Sequence, residues 1–128
     1  MKNLNIIAAA VISVVMLATS AFAQDLLKGV KATRSGDYAI ALQELRPLAE
    51  QGNAEAQAWL GVMYQHGYGV PQDLVLAHMW YNLAATKGFE TYANNRDRIA
   101  KYMTPQDISK AQAMAKECMS NNYKNCGY

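Results

Sequence analysis

Residues Ala56 to Gly88 read AQAWLGVMYQHGYGVPQDLVLAHMWYNLAATKG, and this stretch decides the fold. In its first half Ala56, Leu60 and Tyr64 lie four residues apart, which places them on one face of a helix. Gly61 lies beside this face and lets a neighbouring element approach closely. The stretch therefore begins with a helix suited to tight packing.

A turn and a second helix follow in the same stretch. Gly67 and Gly69 end the first helix, and Pro71 disfavours a helical conformation in the residue before it. Asp73 can accept backbone N–H groups as an N-cap. Apolar residues then recur at helical spacing, and Gly88 falls where a left-handed C-terminal cap is expected. The whole stretch predicts an antiparallel pair of helices.

The small, aromatic and turn residues of this pair resemble the signature of the Sel-one-like repeat family, a relative of the tetratricopeptide repeats. The residues that carry the resemblance are Ala56, Leu60, Gly61, Tyr64, Gly67, Gly69, Val70, Asp73, Ala77, Trp80, Tyr81, Ala84, Ala85 and Gly88. The resemblance implies an all-α, short right-handed α-solenoid that serves as a scaffold or adaptor for other proteins. It implies no catalytic residues and no cofactor.

Partial copies of the unit flank it on both sides. Asp37 lies 36 residues before Asp73 and Asp107 lies 34 residues after it, and an alanine follows each of them four positions later. We therefore expect about three helical hairpins. The predicted divisions are a signal peptide at 1–23 and a repeat domain at 24–128, with a partial repeat at 24–52, the complete repeat at 53–88 and a divergent capping hairpin at 89–128.

Apolar residues of the flanking copies predict which side chains pack. A short first helix that ends near Ser35 and Gly36 is suggested by Leu26, Leu27, Val30 and Ala32. The apolar stripe of the second helix is formed by Ala39, Leu42, Leu45, Leu48 and Ala49. In the third hairpin Tyr92, Ile99 and Tyr102 are the packing candidates. Thr104 followed by Pro105 predicts the start of the last helix.

The first 23 residues predict export. Lys2 precedes an apolar run, and Ala21-Phe22-Ala23 is a small-residue cleavage site, so the segment is typical of a secretory signal peptide. A membrane anchor is the alternative, but the apolar run is shorter than the roughly 20 residues that a span needs. We expect a periplasmic or secreted protein of a Gram-negative bacterium, without stable membrane insertion after cleavage.

Charge gives no reason to expect a nucleic-acid partner. Removal of residues 1–23 takes away Lys2 and leaves 11 basic and 10 acidic residues. The basic cluster from Arg96 to Lys101 is interrupted by Asp97 and Ile99, so it is more typical of a solvated face than of a phosphate-binding surface. A patch for an acidic protein partner is the alternative.

The two cysteines predict a disulfide. Cys118 and Cys126 are the only ones in the sequence, and an exported chain meets an oxidising environment. One continuous helix would separate them by about 12 Å, too far for a disulfide, so we expect Asn121 and Asn122 to turn the chain. Two free thiols are the alternative.

An enzymatic alternative comes from the same cysteines. Their spacing resembles that of cysteine-rich Sel-one-like proteins secreted by bacteria, some of which are linked to β-lactam binding or slow hydrolysis. Here the pair occurs once, and Ala84 and Ala85 occupy the corresponding region of the complete repeat. The sequence has no S-x-x-K or G-x-S-x-G motif. A regulator of an envelope enzyme or receptor is a further alternative.

The two histidines do not form a metal-binding motif. His66 lies near a helix end, and we expect His78 on an exposed flank of the second helix. No metal site is expected.

Most candidate partner-binding residues come from the first helices of the hairpins, which line the concave side of such solenoids, whereas Tyr68 is a candidate because it lies in the turn between two glycines. Tyr64, Trp80 and Tyr81 are assigned to the core, where aromatic residues at helical spacing usually pack. The candidate contact residues are Gln57, Trp59, Gln65, Tyr68, Asn94 and Arg98.

Overall fold

The computed structural model describes residues 21–127, and these residues form helices, turns and loops without a strand. The helices are α1 (21–35), α2 (Tyr38–Glu50), α3 (Ala54–His66), α4 (Leu74–Ala85), α5 (Glu90–Ala100) and α6 (Pro105–Ser120). In chain order they form three pairs, α1 with α2, α3 with α4 and α5 with α6, which we call the first, second and third hairpins. Helices α3 and α4 pack directly on each other, whereas α5 and α6 both pack on α4. The predicted all-α solenoid is confirmed. The predicted signal peptide lies outside the described residues apart from 21–23, which are helical.

Side-chain caps start three of the helices. Asn53 accepts a hydrogen bond from the backbone N–H of Ala56 at the start of α3. Asp73 caps α4 through the N–H of Leu76, at 3.0 Å, and Thr104 caps α6 in the same way. Since an acceptor at this position satisfies a donor that the helix leaves free, the caps predicted at Asp73 and Thr104 are confirmed. Phe89 precedes α5 and supplies no such bond.

The turn between α3 and α4 forms as predicted. Gly67 adopts a left-handed conformation, with φ of 71°, which few residues other than glycine accept without cost. The N–H of Tyr68 then donates to the carbonyl of Met63, and the N–H of Asp73 donates to that of Tyr64. These two hydrogen bonds close the turn, which reverses the chain and sets α4 against α3.

Helix α4 lies at the centre of the molecule because it packs against α3, α5 and α6. Trp80 and Tyr81 are fully buried on it, and Tyr64 of α3 is also buried, so the three aromatic core assignments are confirmed. A Cβ atom placed on Gly61 would lie 2.8 Å from the ring of Tyr81. The glycine is therefore required for the close contact between α3 and α4.

Two packing expectations are wrong. Ala39 is exposed, because it lies on a side of α2 that no other described helix covers, whereas Leu45, Leu48 and Ala49 of the same stripe are buried. Tyr102 is 81% exposed, because α5 ends at Ala100 and the tyrosine lies in the connection to α6. Among residues 21–127, no helix combines the length and the apolar character needed to cross a membrane.

Candidate partner-binding surface

The first helices of successive hairpins lie side by side, and a groove of about 320 Å³ runs between two of them. We call it the α3–α5 groove. Its lining residues are Glu55, Ala58, Trp59 and Val62 of α3 with Tyr92 and Asn95 of α5. The groove therefore joins the second and third hairpins on one surface.

Two aromatic side chains form the walls of the α3–α5 groove. Trp59 is partly exposed, and the guanidinium carbon of Arg34 lies 5.6 Å from the centre of its ring. This distance is within the range of a cation–π interaction, which also brings α1 to the edge of the groove. Tyr92 is partly exposed opposite, with the ring of Phe89 tilted against it at 5.5 Å. The groove is thus apolar in its walls and accessible from solvent.

Polar groups lie at the rim of the same groove. Glu55 is exposed, and Asn95 is partly exposed on the facing helix. Burial raises the pKa of the Tyr92 hydroxyl, and the nearby carboxylate of Glu55 raises it further. The phenol therefore stays protonated and available as a hydrogen-bond donor at neutral pH. The carboxylate of Glu55 and the amide of Asn95 thus add polar groups to the two aromatic rings of the groove.

Gln57 is a correction to the predicted contact residues. Its side chain is fully buried, and its Nε2 donates to the backbone carbonyl of Ala49 at 3.1 Å. Its Oε1 has no hydrogen-bond partner among the described residues. Position 57 faces α2 rather than solvent, because α3 is packed between α2 and α4. A partner cannot reach this side chain in the folded protein.

Gln65 is engaged inside the second hairpin. The hydroxyl of Tyr81 donates to its Oε1 at 2.7 Å, and the amide of Gln72 donates to its backbone carbonyl. Burial raises the pKa of Tyr81 to about 12, an effect that the positive charge of Arg98 opposes. Gln65 is therefore only partly available to a partner, whereas Arg98 is exposed near the same hydroxyl.

Tyr68 lies in the turn as predicted, but aromatic rings cover its faces. The ring of Tyr38 stacks on it at 4.8 Å, and that of His66 lies at 5.1 Å. These contacts hold the α3–α4 turn against α2. Tyr68 lies outside the α3–α5 groove, and it is partly exposed.

The six proposed contact residues are therefore distributed over the molecule. Trp59 lines the α3–α5 groove, while Asn94 and Arg98 are exposed on α5 without lining it. The groove also contains Glu55, Tyr92 and Asn95, which are not among the predicted contacts. A signal for them exists, because Asn95 follows Trp59 by 36 residues, the repeat period already seen between Asp37 and Asp73.

The expected exposure of His78 is wrong, since the side chain is only 2% exposed. Three helices surround α4, so this helix has no solvent-facing side at that position. Burial lowers the pKa of His78, Arg96 lowers it further, and Asp97 acts in the opposite direction. Its Nδ1 has no hydrogen-bond partner in the part of the chain that the structure describes. The neutral imidazole is a core residue.

Side chains that could ligate a metal do not cluster in the described part of the chain. Within residues 21–127, no three side chains from histidine, cysteine, aspartate and glutamate come together as a ligand set. Cys118 and Cys126 instead lie within disulfide-bonding distance, with Cα atoms 5.1 Å apart. The chain turns between them, and Asn122 adopts a left-handed conformation. This geometry agrees with the predicted pairing.

The fold and the groove define a class of protein, a short helical-repeat solenoid with an open surface between its first helices. Residues 54–89 match the family model of the Sel1 repeat, which overlaps the unit predicted at 53–88. The chain therefore contains one Sel1 repeat, at the unit that the sequence resemblance indicated. Sel1 repeats generally mediate interactions between proteins. No significant match was found among curated proteins.

Proposed function

We propose that the protein is an exported scaffold or adaptor that holds a segment of another protein in the α3–α5 groove. The observation that carries the proposal is the pair of accessible aromatic walls, Trp59 and Tyr92, contributed by neighbouring hairpins. Large aromatic side chains carry much of the affinity in protein interfaces. The general role of Sel1 repeats in protein interaction supports the same function.

The chemistry of the groove favours a polypeptide as the occupant. A volume of about 320 Å³ lies at the lower end of the range for ligand pockets and is enough for one or two side chains of a partner. An apolar side chain of the partner would lie between Trp59 and Tyr92. The Glu55 carboxylate would accept a backbone N–H group, and the Asn95 amide would pair with a backbone carbonyl.

Site-specific photo-cross-linking in intact cells tests this placement. A photoreactive amino acid replaces Glu55, which is exposed at the rim of the groove, or Tyr102, which is exposed outside it. We expect one discrete protein adduct from position 55 and none from position 102. Equal adducts at both positions, or none at position 55, would contradict a partner site in the groove.

Export to the periplasm or beyond it is part of the proposal. The signal-peptide pattern of residues 1–23 supports it, and a cysteine pair at bonding distance is typical of oxidising compartments. The measurement is the intact mass of the protein recovered from the cell envelope and the medium. A chain that starts at Gln24 is expected, whereas cytoplasmic protein that retains Met1 would contradict export.

We expect no catalytic turnover. The usual role of the family as a non-catalytic scaffold supports this part of the proposal. The enzymatic alternative is tested by incubation of the purified protein with a chromogenic β-lactam for several hours. Hydrolysis above that of a heat-unfolded sample would overturn the non-catalytic function.

A further inference from the structure

The segment after α6, residues 121–127, returns over the body of the molecule. We call it the C-terminal strap. The backbone N–H of Tyr123 donates to the carbonyl of Cys118 at 2.8 Å, and Asn122 and Tyr123 have positive φ values of 53° and 63°. Such left-handed residues reverse the chain direction at a cost in backbone energy. The strap therefore needs other contacts to hold its course.

One side chain of the strap contacts loops of the other hairpins. A Cβ atom on Gly52 would lie 3.1 Å from Cε2 of Tyr123, so the ring lies against the connection between α2 and α3. The ammonium of Lys87 lies 5.7 Å from the centre of the same ring, beyond the end of α4. Tyr123 thus joins the third hairpin to two connections of the preceding helices.

The far end of the strap is held between α4 and α6. A Cβ atom on Gly127 would lie 2.8 Å from Leu76 and 3.2 Å from Met114, one residue from each helix. Cys126 is 3% exposed, and its partner Cys118 on α6 is 2% exposed. The two ends of the strap therefore lie against different parts of the solenoid.

Helix α6 packs along α4 mainly through small side chains. Its buried residues are Ala111, Ala115 and Cys118, and Met114 is partly buried against the core. Burial of small side chains contributes less to docking than burial of leucine or an aromatic ring. Tyr123 packs against the same core and adds an aromatic ring that α6 itself does not provide. The strap therefore reinforces the position of α6 on α4.

We propose that the C-terminal strap is a redox-controlled lock that fastens α6 to the rest of the solenoid. While Cys118 and Cys126 are bonded, the closed loop holds Tyr123 and Gly127 in their contacts. Reduction releases the strap, frees α6 from α4 and exposes Leu76 and Met114. The loss of the link raises the conformational entropy of the open tail, which favours release.

The chemistry requires a dithiol reductant. A thiolate of the dithiol attacks one sulfur of the Cys118–Cys126 bond, which breaks and leaves a mixed disulfide. The second thiol of the reductant then displaces the remaining cysteine. The reductant becomes a cyclic disulfide, and the protein gains two electrons and two protons as two thiols. Because both sulfurs are buried, the strap must open before attack.

Hydrogen exchange of the purified protein, oxidised or treated with dithiothreitol, tests the lock. We expect backbone amides of α6 and the strap to exchange at least tenfold faster after reduction, while those of α3 and α4 keep their rates. Unchanged exchange in α6 would overturn the proposal. Equal acceleration throughout the molecule would also overturn it, because the disulfide would then stabilise the whole fold rather than one helix.

A matched pair of tyrosine variants tests the role of the ring with the disulfide intact. We expect Tyr123→Ala to increase the rate of reduction by dithiothreitol at least threefold, measured by labelling of the released thiols. Tyr102→Ala removes an exposed tyrosine and should leave the rate unchanged. Equal rates in the two variants would show that Tyr123 does not hold the strap. Both experiments are independent of any partner in the α3–α5 groove.

Discussion

The second and third hairpins are held together in different ways. Helices α3 and α4 bury large side chains against each other, including Tyr64, Trp80 and Tyr81. In the third hairpin α5 buries Ile99, and the buried residues of α6 are small. A disulfide-closed strap reaches back from that hairpin to the others. The complete repeat is therefore stabilised by packing within its own hairpin, whereas α5 and α6 pack on α4 and the strap adds a disulfide-closed contact to them.

The largest expected effect comes from added volume in the second hairpin. Gly61→Leu places side-chain atoms where the ring of Tyr81 already lies, so we expect a loss of about 3 kcal/mol in the free energy of unfolding. Urea unfolding followed by circular dichroism measures it. Ala113→Leu is the control, because Ala113 is exposed on α6 and should tolerate the change. Equal stability of the two variants would contradict the close packing of α3 on α4.

A smaller effect should separate the capped helix α4 from the uncapped helix α5. Asp73→Ala removes the acceptor for the N–H of Leu76 and should cost about 1 kcal/mol. Phe89→Ala changes the residue at the corresponding position of α5, which makes no side-chain cap bond. We expect its cost to stay below about 0.5 kcal/mol, the usual range for exposed positions. The same unfolding assay measures both, and a larger cost for Phe89→Ala would reverse the comparison.

The smallest effect concerns the interface between α4 and α5, where His78 faces Arg96 and Asp97. The pKa of His78 is lowered in the folded protein, so the unfolded chain takes up a proton first, near 6.5. The contribution of His78 to the free energy of unfolding is fully present above that pH. It is lost as the pH drops towards the lowered pKa of the folded protein. We expect a loss of at most about 0.7 kcal/mol between pH 7 and pH 6 from this group.

The variant His78→Gln should remove this part of the pH dependence. Urea unfolding at a series of pH values measures the difference between the variant and the wild type. Asp97 titrates at lower pH, because its hydrogen bond from Arg96 lowers its pKa, so it does not contribute in this interval. If the free energy of unfolding changes with pH equally in the wild type and in His78→Gln, the pH dependence does not come from His78.

Local features of the fold could be predicted from the sequence. Asp73, Thr104 and Gly67 each have a conformational or hydrogen-bonding role that depends on neighbours within a few residues. The aromatic core residues followed from helical spacing, which fixes the face of a helix on which they lie. These features do not depend on how the hairpins are arranged relative to one another.

Features that depend on the arrangement of several helices could not be predicted in this way. His78 lies on a helix with neighbours on three sides, and Gln57 lies on one packed between two others. A periodic pattern identifies an apolar face but does not show how many helices surround it. The contact of Tyr123 with Gly52 is also a long-range contact, and no pattern in the neighbouring sequence predicts it.

Only part of the candidate site could be predicted, because the groove also depends on how the helices are arranged. Trp59 flanks the packing stripe of α3 in the sequence, and it lines the α3–α5 groove as predicted for a contact residue. On α5 the sequence predicts Asn94 as a contact, but the neighbouring Asn95 lines the groove. The facing positions of α3 and α5 depend on the rotation of each helix, and one residue turns a side chain by about 100°.

The affinity of the cross-linked partner for purified variants tests the central claim most directly. Titration calorimetry would compare the wild type with Trp59→Ala, Tyr92→Ala and the control Tyr102→Ala, with unfolding curves recorded for each. We expect at least a tenfold weaker affinity for the two groove variants, as for aromatic residues at the centre of an interface. The control should bind as the wild type does. Unchanged affinity in both groove variants, with the fold retained, would contradict a scaffold that binds through the α3–α5 groove.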